Sequence, residues 1–203
     1  MTMPRYLVFL DAETGGTEDE HPIVQLAVAA VDAITGEKIA SAWWPLEYDP
    51  AKVTPKAREI WGEHETGWGA KVAPAIVVQH LTNFLQRWAC VPKVSKRTGR
   101  TYGVAQLVCH NAKFDARKIE LLYKEYDAFC PATIYQALCT LELARWLLPE
   151  LSSHSLEALC EHFGIGQDAV GYAAHDARGD VNATIELWKC LRGKIIPLRL
   201  GAP

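Results

Sequence analysis

The chain begins with an uninterrupted apolar run that ends at two acidic side chains. Residues 6–10 carry no charge, and Asp11 and Glu13 follow within three positions. A short continuous apolar run is typical of a strand buried on both faces, as in a sheet with helices on both sides. Alternate residues of a strand point to the same face. The carboxylates of Asp11 and Glu13 can therefore reach one common site at the end of this strand.

Strand-like and helix-like patterns alternate along the rest of the chain, which predicts an α/β fold. The Thr35-Gly36 pair favours a hairpin between the second and third strands. Further strands are predicted at residues 23–31, 38–45, 106–109 and 133–138. Helices are predicted at 72–88, 115–126, 140–148 and 155–163, within a tryptophan-rich segment at 50–69, and in a final segment from about 177.

Length and composition predict one domain. The 203 residues suit a single large core, and 49% of them are hydrophobic. No internal repeat or linker is visible, so we predict a single domain over residues 1–203 with a short tail at about 193–203. A basic loop or small hairpin is expected at about 90–103. This insert carries Lys93, Lys96, Arg97 and Arg100 around a Thr98-Gly99 turn.

Charge and cysteine content narrow the class of protein. The net charge of −3 argues against a protein that coats duplex DNA through a broad basic face, although it permits gripping a strand end. The six cysteines form no C-x-x-C pair and most lie beside apolar residues, which predicts reduced, packed thiols in a cytoplasmic protein. We see no signal peptide and no apolar run near the roughly 20 residues that span a bilayer, so no membrane association is expected.

A second polar group follows the strand predicted at 106–109. His110 and Asn111 lie at its carboxyl end, and Asp115 comes shortly after. Ligands bind beyond the carboxyl ends of strands in open α/β sheets. Asp115 can act in such a site or cap the next helix, and these two interpretations are compatible. Asn111 can hold the turn or contact a ligand.

A third group contains His175 and Asp180. In a regular helix, residues five apart are rotated about 140° from each other, so the two side chains could not share one site. If both act, His175 must lie in a loop before the helix while Asp180 lies in its first turns. Gly171 suits such a loop. An isolated exposed histidine is more often inert, so the prediction depends on the combined pattern.

The three groups together resemble the three exonuclease motifs of the DEDD superfamily, in its variant with a histidine in the third motif. The stretches are Leu10-Asp11-Ala12-Glu13-Thr14, His110-Asn111-Ala112-Lys113-Phe114-Asp115 and His175-Asp176-Ala177-Arg178-Gly179-Asp180. Residues 139–145 and 155–159 also resemble that family's linking helices. The chain departs from the family pattern at Thr14-Gly15-Gly16, where Thr-Thr-Gly is common, and at Gln25, where many members have glutamate.

The resemblance implies a ribonuclease-H-like fold, a mixed five-stranded sheet with helices on both faces. It implies hydrolysis of terminal phosphodiesters from the 3′ end of DNA or RNA, with release of nucleoside monophosphates. Two divalent cations, Mg²⁺ or Mn²⁺, would be held by Asp11, Glu13, Asp115 and Asp180. His175 would be the general base, since imidazole is the side chain that titrates nearest to neutral pH.

Substrate contacts and partners are less directly indicated. Contacts are expected from Thr14, Gly15, Gly16, Thr17, Asn111 and Phe114. Trp61 or Phe114 can stack on bases or pack in the core, and the basic cluster at 93–100 can follow a phosphate backbone or be a solvated turn. A polymerase or repair partner in trans and a homodimer are both possible.

Three alternatives compete with this interpretation. A non-catalytic subunit that binds nucleic acid or a polymerase through the same fold is disfavoured because all five functional positions are present. The spacing of His175 and Asp180 argues against another ribonuclease-H-like enzyme such as an endonuclease. The His175-Asp176 dipeptide also occurs in HD phosphohydrolases, but the further histidine and aspartate ligands of that class have no matching set here.

Overall fold

The structure is a computed structural model that describes residues 4–199, with side chains through residue 195. Its strands are β1 (Tyr6–Thr14), β2 (Ile23–Asp32), β3 (Lys38–Pro45), β4 (Val91–Val94), β5 (Thr101–Val104), β6 (Gln106–Cys109) and β7 (Leu138–Cys139). Its helices are α1 (Pro55–Trp61), α2 (Pro74–Arg87), α3 (Ala112–Glu125), α4 (Thr140–Leu147), α5 (Leu156–Phe163), α6 (Gln167–Val170) and α7 (Ala177–Arg199).

Five of the strands form one mixed sheet in the order β3-β2-β1-β6-β7. Strand β2 runs antiparallel to both β1 and β3, whereas β6 lies parallel to both β1 and β7. Helices α2 and α3 pack on one face of the sheet and α7 on the other. The predicted α/β class, with a mixed five-stranded sheet and helices on both faces, is confirmed.

Strand β1 lies at the centre of the sheet and is buried on both faces, as its apolar run predicts. Val8 and Leu10 belong to the core under α2 and α3, whereas Leu7 and Phe9 pack against α7. The ring of Phe9 meets that of Trp188 edge to face at 5.7 Å. Because side chains alternate along a strand, positions 7, 9, 11 and 13 share the face that α7 covers.

Several predicted elements have the expected bounds. Strands β3 and β6 cover residues 38–45 and 106–109, and α4 ends just before Pro149. Ser155 caps α5 by accepting a bond from the Ala158 N–H, and Gly164 ends that helix in the left-handed conformation. The basic insert is a hairpin of β4 and β5. All six cysteines are free.

Three predictions of local structure are wrong. Helix α3 begins at Ala112, so Asp115 lies in its first turn and does not cap it. The strand predicted at 133–138 is a 3₁₀ turn at Ile134–Gln136 followed by the two residues of β7. The buried side chain of Gln106 explains this turn, because its Nε2 donates to Thr133 Oγ1 and to the Gln136 carbonyl, each at 2.9 Å.

The third wrong prediction concerns the carboxyl-terminal tail. Helix α7 continues to Arg199, so the tail expected from residue 193 is helical as far as 199, and residues 200–203 lie outside the described part. Leu187 and Leu191 are fully buried between α7 and the helices α4 and α5, which extends the packed part of α7 well beyond the sheet. Within residues 4–199, no helix combines the length and hydropathy needed to cross a membrane.

Candidate active site

The end of β1 and the start of α7 bring three of the predicted side chains together. One potential ligand atom from each of Glu13, His175 and Asp180 lies within 4.8 Å of the others. Glu13 is buried on β1, Asp180 is half-buried, and His175 is exposed. Carboxylate oxygens and an imidazole nitrogen at this separation can share one small ligand or ion.

The predicted separation of His175 from the helix is confirmed. His175 lies in a turn before α7 with a left-handed φ of 59°, and Asp180 lies in the first turn of the helix. A positive φ is uncommon for a residue with a side chain, although histidine tolerates it better than most. The turn lets the imidazole reach the side of the helix that Asp180 occupies, which a regular helix would prevent.

Asp115 approaches the same region from α3. Its side chain is only 3% exposed. The backbone N–H of Ala12, the residue between Asp11 and Glu13, acts to lower the pKa of Asp115. The carboxylate in the first turn of α3 therefore faces the end of β1. The structure therefore gathers acidic groups from three separate parts of the chain, each at the edge where β1 and β6 end.

Burial and neighbouring carboxylates raise the pKa of all four acids. Burial raises the pKa of Asp11 well above its usual range, and the charges of Asp115 and Asp180 raise it further. Burial, together with the neighbouring carboxylates, raises the pKa of Glu13 to about 8. Burial raises the pKa of Asp115 to about 8, and the charge of Asp180 adds to the effect. The pKa of Asp180 rises to about 7, through burial and the charge of Asp176.

No positive side chain compensates these four carboxylates within the part of the chain whose side chains are described. The ion pairs in that part involve other acids. Buried acids that lack a cationic partner are costly unless another cation neutralises them. Carboxylate oxygens are hard ligands, which Mg²⁺ and Mn²⁺ prefer. The donor set therefore fits divalent cations of this kind.

A fifth acid, Asp176, is neutralised by the chain itself. Asp176 is buried and accepts three bonds from Arg178, one from the backbone N–H and two from the guanidinium at 2.8 and 2.6 Å. Although burial opposes it, bonding to Arg178 holds the pKa of Asp176 below its usual value. The Arg178 guanidinium also stacks on the rings of Trp43 and Tyr172, at 4.1 and 4.4 Å from their centroids. Arg178 thus joins β3, the loop that carries His175 and the start of α7.

Two further residues fix this loop against the sheet. The Gln25 side chain on β2 accepts the backbone N–H of Ala177 at 2.8 Å, which anchors the first residue of α7. Gln25 also pairs with Glu13 in the β1–β2 register, so glutamine makes this bond without adding another carboxylate. At Gly179 a Cβ atom would lie 2.6 Å from the Ala173 carbonyl oxygen, so only glycine lets the loop lie this close to the helix.

Sequence reasoning missed the pairing of Asp176 with Arg178 and its stacking on Trp43 and Tyr172. The available signal was an aspartate directly before a helix with an arginine two positions later, a pattern typical of a capped helix start. The stacking partners could not be found in this way, since Trp43 lies more than a hundred residues away in sequence.

The predicted substrate contacts differ in accessibility. Thr14 and Gly15 are buried, and a Cβ at Gly15 would lie 2.9 Å from the Lys52 carbonyl oxygen, so this turn is packed against the segment that follows β3. Thr17 and Asn111 are exposed, while Gly16 and Phe114 are half-buried. Asn111 has a left-handed φ of 67° directly before α3, which fits a turn residue.

The core alternative is correct for Trp61, and base stacking by this residue is excluded. Trp61 is 1% exposed, and its Nε1 donates to the Thr14 carbonyl at 2.9 Å. His110 also has a structural role. Its two ring nitrogens bond to Thr140 Oγ1 at 3.0 Å and to the His154 carbonyl at 3.1 Å. Burial lowers the pKa of His110 to about 4, so its imidazole is neutral at pH 7, and both ring nitrogens are already hydrogen-bonded.

Comparisons with known proteins agree with this geometry. The family model described as exonuclease, of the RNase_T type, matches residues 92–188, which include Asp115, His175 and Asp180 but not the end of β1. A DNA polymerase III of PolC type from Oceanobacillus iheyensis is 36% identical over 86 residues. That match covers 42% of this chain and 6% of the relative, so the chain spans a small fraction of that polymerase.

Solved structures share the whole fold. Exonuclease I of E. coli, in complex with a dT13 oligonucleotide, has a TM-score of 0.69 at 21% identity and covers 96% of this chain and 42% of its own. A full-length 3′-exonuclease has a TM-score of 0.68 at 12% identity and covers 98% of this chain and 84% of its own. At these identities, the likeness shows the fold alone.

Proposed function

We propose that the chain is a metal-dependent 3′–5′ exonuclease of the histidine variant of the DEDD superfamily, because residues 92–188 match an exonuclease family model and solved exonuclease structures share its fold. It would hydrolyse terminal phosphodiester bonds at single-stranded nucleic acid ends and release nucleoside monophosphates. One observation carries the proposal: four carboxylates without a cationic partner in the described part converge from three parts of the chain beside an exposed histidine.

Asp11, Glu13, Asp115 and Asp180 would hold the divalent cations, Mg²⁺ or Mn²⁺. When bound, the cations stabilise the negative charge that develops on the attacking and leaving oxygens of a phosphodiester. The protein supplies a fixed frame for them, since Glu13 is on the central strand and Asp115 is buried in the first turn of α3. A rigid frame of this kind keeps the ligands from moving apart under mutual repulsion.

His175 would accept the proton of the attacking water. Its imidazole is exposed, lies within 4.8 Å of ligand atoms of Glu13 and Asp180, and is on a turn outside the helix. Arg178 and Gln25 position this turn through the bonds and stacking described above. Accessible residues near the strand ends, Thr17, Asn111 and Phe114, would contact the terminal nucleotides.

The proposed substrate is supported by the relatives. The exonuclease I structure contains a single-stranded dT13 oligonucleotide, which makes a single DNA strand the first substrate to test. The PolC-type relative is a DNA polymerase, which supports a polymerase as a partner in trans. RNA is the second substrate to test, since contacts to the 2′-hydroxyl are what let a protein distinguish RNA from DNA.

Incubation with 5′-labelled single-stranded DNA and RNA, in Mg²⁺, Mn²⁺ or EDTA, tests the activity. We expect a ladder of 3′-shortened products in either metal and none in EDTA. Asp11→Asn should abolish cleavage and weaken the metal-induced rise in thermal stability, whereas Asp19→Asn, which alters an exposed ion pair, should do neither. His175→Ala should lose most turnover and still bind metal.

The same assay identifies the competing function. A protein that binds the labelled strand but gives no ladder in any metal would be a non-catalytic binding subunit, and the exonuclease proposal would be wrong. Full activity of His175→Ala would exclude this histidine as the base. Internal cleavage of a circular strand would instead indicate an endonuclease.

A further inference from the structure

A groove runs along the exposed side of α3, from the carboxyl end of β6 to the β4–β5 hairpin. It consists of two adjoining cavities of about 550 and 830 Å³. Asn111 lines the end nearest the candidate active site, and Lys93 and Lys96 line the far end. Tyr135 belongs to both cavities and marks where they join. We call this surface the α3 groove.

One face of α3 forms the floor of the α3 groove. Lys113, Arg117, Glu120 and Lys124 follow one another at intervals of four, three and four residues, which is the spacing of a single helical face. These positions extend over about 16 Å at about 1.5 Å per residue. The opposite face of α3, with Ile119 and Leu122, packs into the core, so the charged face is fixed in direction.

Aromatic side chains stand along the other wall. Tyr135 is 85% exposed on the 3₁₀ turn before β7, and Phe129 is 63% exposed. The rings of Phe129 and Tyr102 meet edge to face at 5.8 Å beside the hairpin. Aromatic side chains with this exposure contribute little to the core, and a cluster of them beside a cavity is typical of a binding surface.

The charge of the α3 groove is opposite to that of the chain. Five cations line it against two acids, Glu120 and Glu142, whereas the whole chain has a net charge of −3. Arg117 is paired with Asp19 and Glu120. The lysines that line the groove are therefore the groups that can meet an anionic ligand. The basic hairpin, which the sequence left as either a phosphate contact or a solvated turn, supplies two of them.

We propose that the α3 groove binds the part of a single-stranded nucleic acid that lies beyond the terminal nucleotides. The lysines would meet the phosphates, and Tyr135, Phe129 and Tyr102 would stack on bases, a mode of recognition that tolerates any sequence. The inference rests on the proposed exonuclease function, because Asn111, which lines the groove, is also a proposed contact of the terminal nucleotides. The positive lining favours a nucleic acid over a protein segment as the occupant.

A comparison of short and long substrates distinguishes binding in the α3 groove from binding in the active site. We would measure kcat and KM for dT3 and dT16, and for U3 and U16, with wild type and with the double variant Tyr135→Ala/Phe129→Ala. The variant should raise KM for the 16-mers about tenfold or more, as expected from lost base stacking, and leave the trimers unchanged. Trp146→Ala is the matched control, because Trp146 is 83% exposed on α4 and does not line the groove.

A second variant tests the phosphate contacts. Lys93→Gln/Lys124→Gln should weaken binding of 5′-fluorescein-labelled dT16 and reduce the slope of its affinity against salt, measured by anisotropy. The proposal would be overturned if KM and affinity for the 16-mers were unchanged in both double variants. It would also be overturned if the variants raised KM equally for trimers and 16-mers. Either result would favour a protein segment as the occupant of the α3 groove. If no oligonucleotide is cleaved, the exonuclease proposal fails alone, and the anisotropy of dT16 still decides whether the groove binds.

Discussion

Replacing Asp115 by asparagine should stabilise the metal-free protein while it removes a proposed metal ligand. Asp115 is 3% exposed, and burial together with the charge of Asp180 raises its pKa to about 8. Asparagine has nearly the same shape and retains an oxygen acceptor on its side chain. It carries no charge that must be neutralised. The substitution therefore relieves an electrostatic cost and keeps the local packing.

The size of the effect follows from the difference in pKa between the folded and unfolded chain. The ordinary value of 3.8 applies to the unfolded chain, and the folded value is about 8. An acid whose pKa is raised by folding binds its proton more tightly in the folded state. Its destabilising effect on the folded state is therefore absent below the unfolded pKa and grows as the pH rises to the folded pKa. The cost is about 4 kcal/mol at pH 7, which lies about three units above the unfolded pKa, and about 2 kcal/mol at pH 5, which lies about one unit above it.

Thermal unfolding in EDTA measures this cost. At pH 7, Asp115→Asn should raise Tm by about 10 °C, since 1 kcal/mol shifts a domain of this size by about 2–4 °C. The increase should be much smaller at pH 5. Asp19→Asn is the control, because Asp19 is an exposed acid paired with Arg117, and it should leave Tm almost unchanged at both pH values.

Addition of Mg²⁺ should raise the Tm of wild type more than that of Asp115→Asn. Wild type should gain stability in Mg²⁺ because the cation neutralises its acids, and Asp115→Asn should gain much less. A Tm for Asp115→Asn equal to or below that of wild type in EDTA at pH 7 would refute the electrostatic reasoning. An equal gain in Mg²⁺ for both proteins would show that Asp115 is not needed to hold the metal.

Three further substitutions test the residues around the site. Arg178→Ala should lower kcat by about tenfold to a hundredfold with little change in KM, because the His175 loop loses its anchor, and Arg178→Lys should recover little since lysine lacks the planar fork. Gln25→Glu should lower Tm in EDTA at pH 7 by adding a carboxylate opposite Glu13, and Mg²⁺ should narrow the difference. Gly179→Ala should lower the free energy of unfolding by about 1–3 kcal/mol in urea and reduce activity, because its Cβ would clash with the Ala173 carbonyl.

Local patterns predicted much of the fold because their physical causes are local. Ser155 and Gly164 have the residue types that begin and end helices, and they bound α5 as expected. The placement of His175 outside α7 follows from helical geometry alone, given that both His175 and Asp180 act. The continuous apolar run of β1 reports burial on both faces, which any covered central strand requires.

The remaining features depend on contacts between distant parts of the chain. The alternating segment at 133–138 resembles a strand, but the buried Gln106 side chain bonds to it and stabilises a turn. Trp61 lies in the core because β1 supplies a hydrogen-bond partner for its indole N–H, the Thr14 carbonyl, which is 47 residues away in sequence. The α3 groove was also invisible in sequence, because its two walls come from segments that touch only after folding.

Asp176 has a structural role, which contrasts with the metal-binding role proposed for the four other acids. Asp176 lies close enough for its charge to raise the pKa of Asp11, Glu13 and Asp180. Among the described side chains, Asp176 is the one acid of the five with an ion pair, and its partner Arg178 stacks on two aromatic rings. An arginine free to swing toward Asp180 would compete with a bound cation for its carboxylate. By fixing Arg178 on Asp176, the fold stabilises the loop that carries His175 and leaves the other four carboxylates available to the divalent cations proposed above.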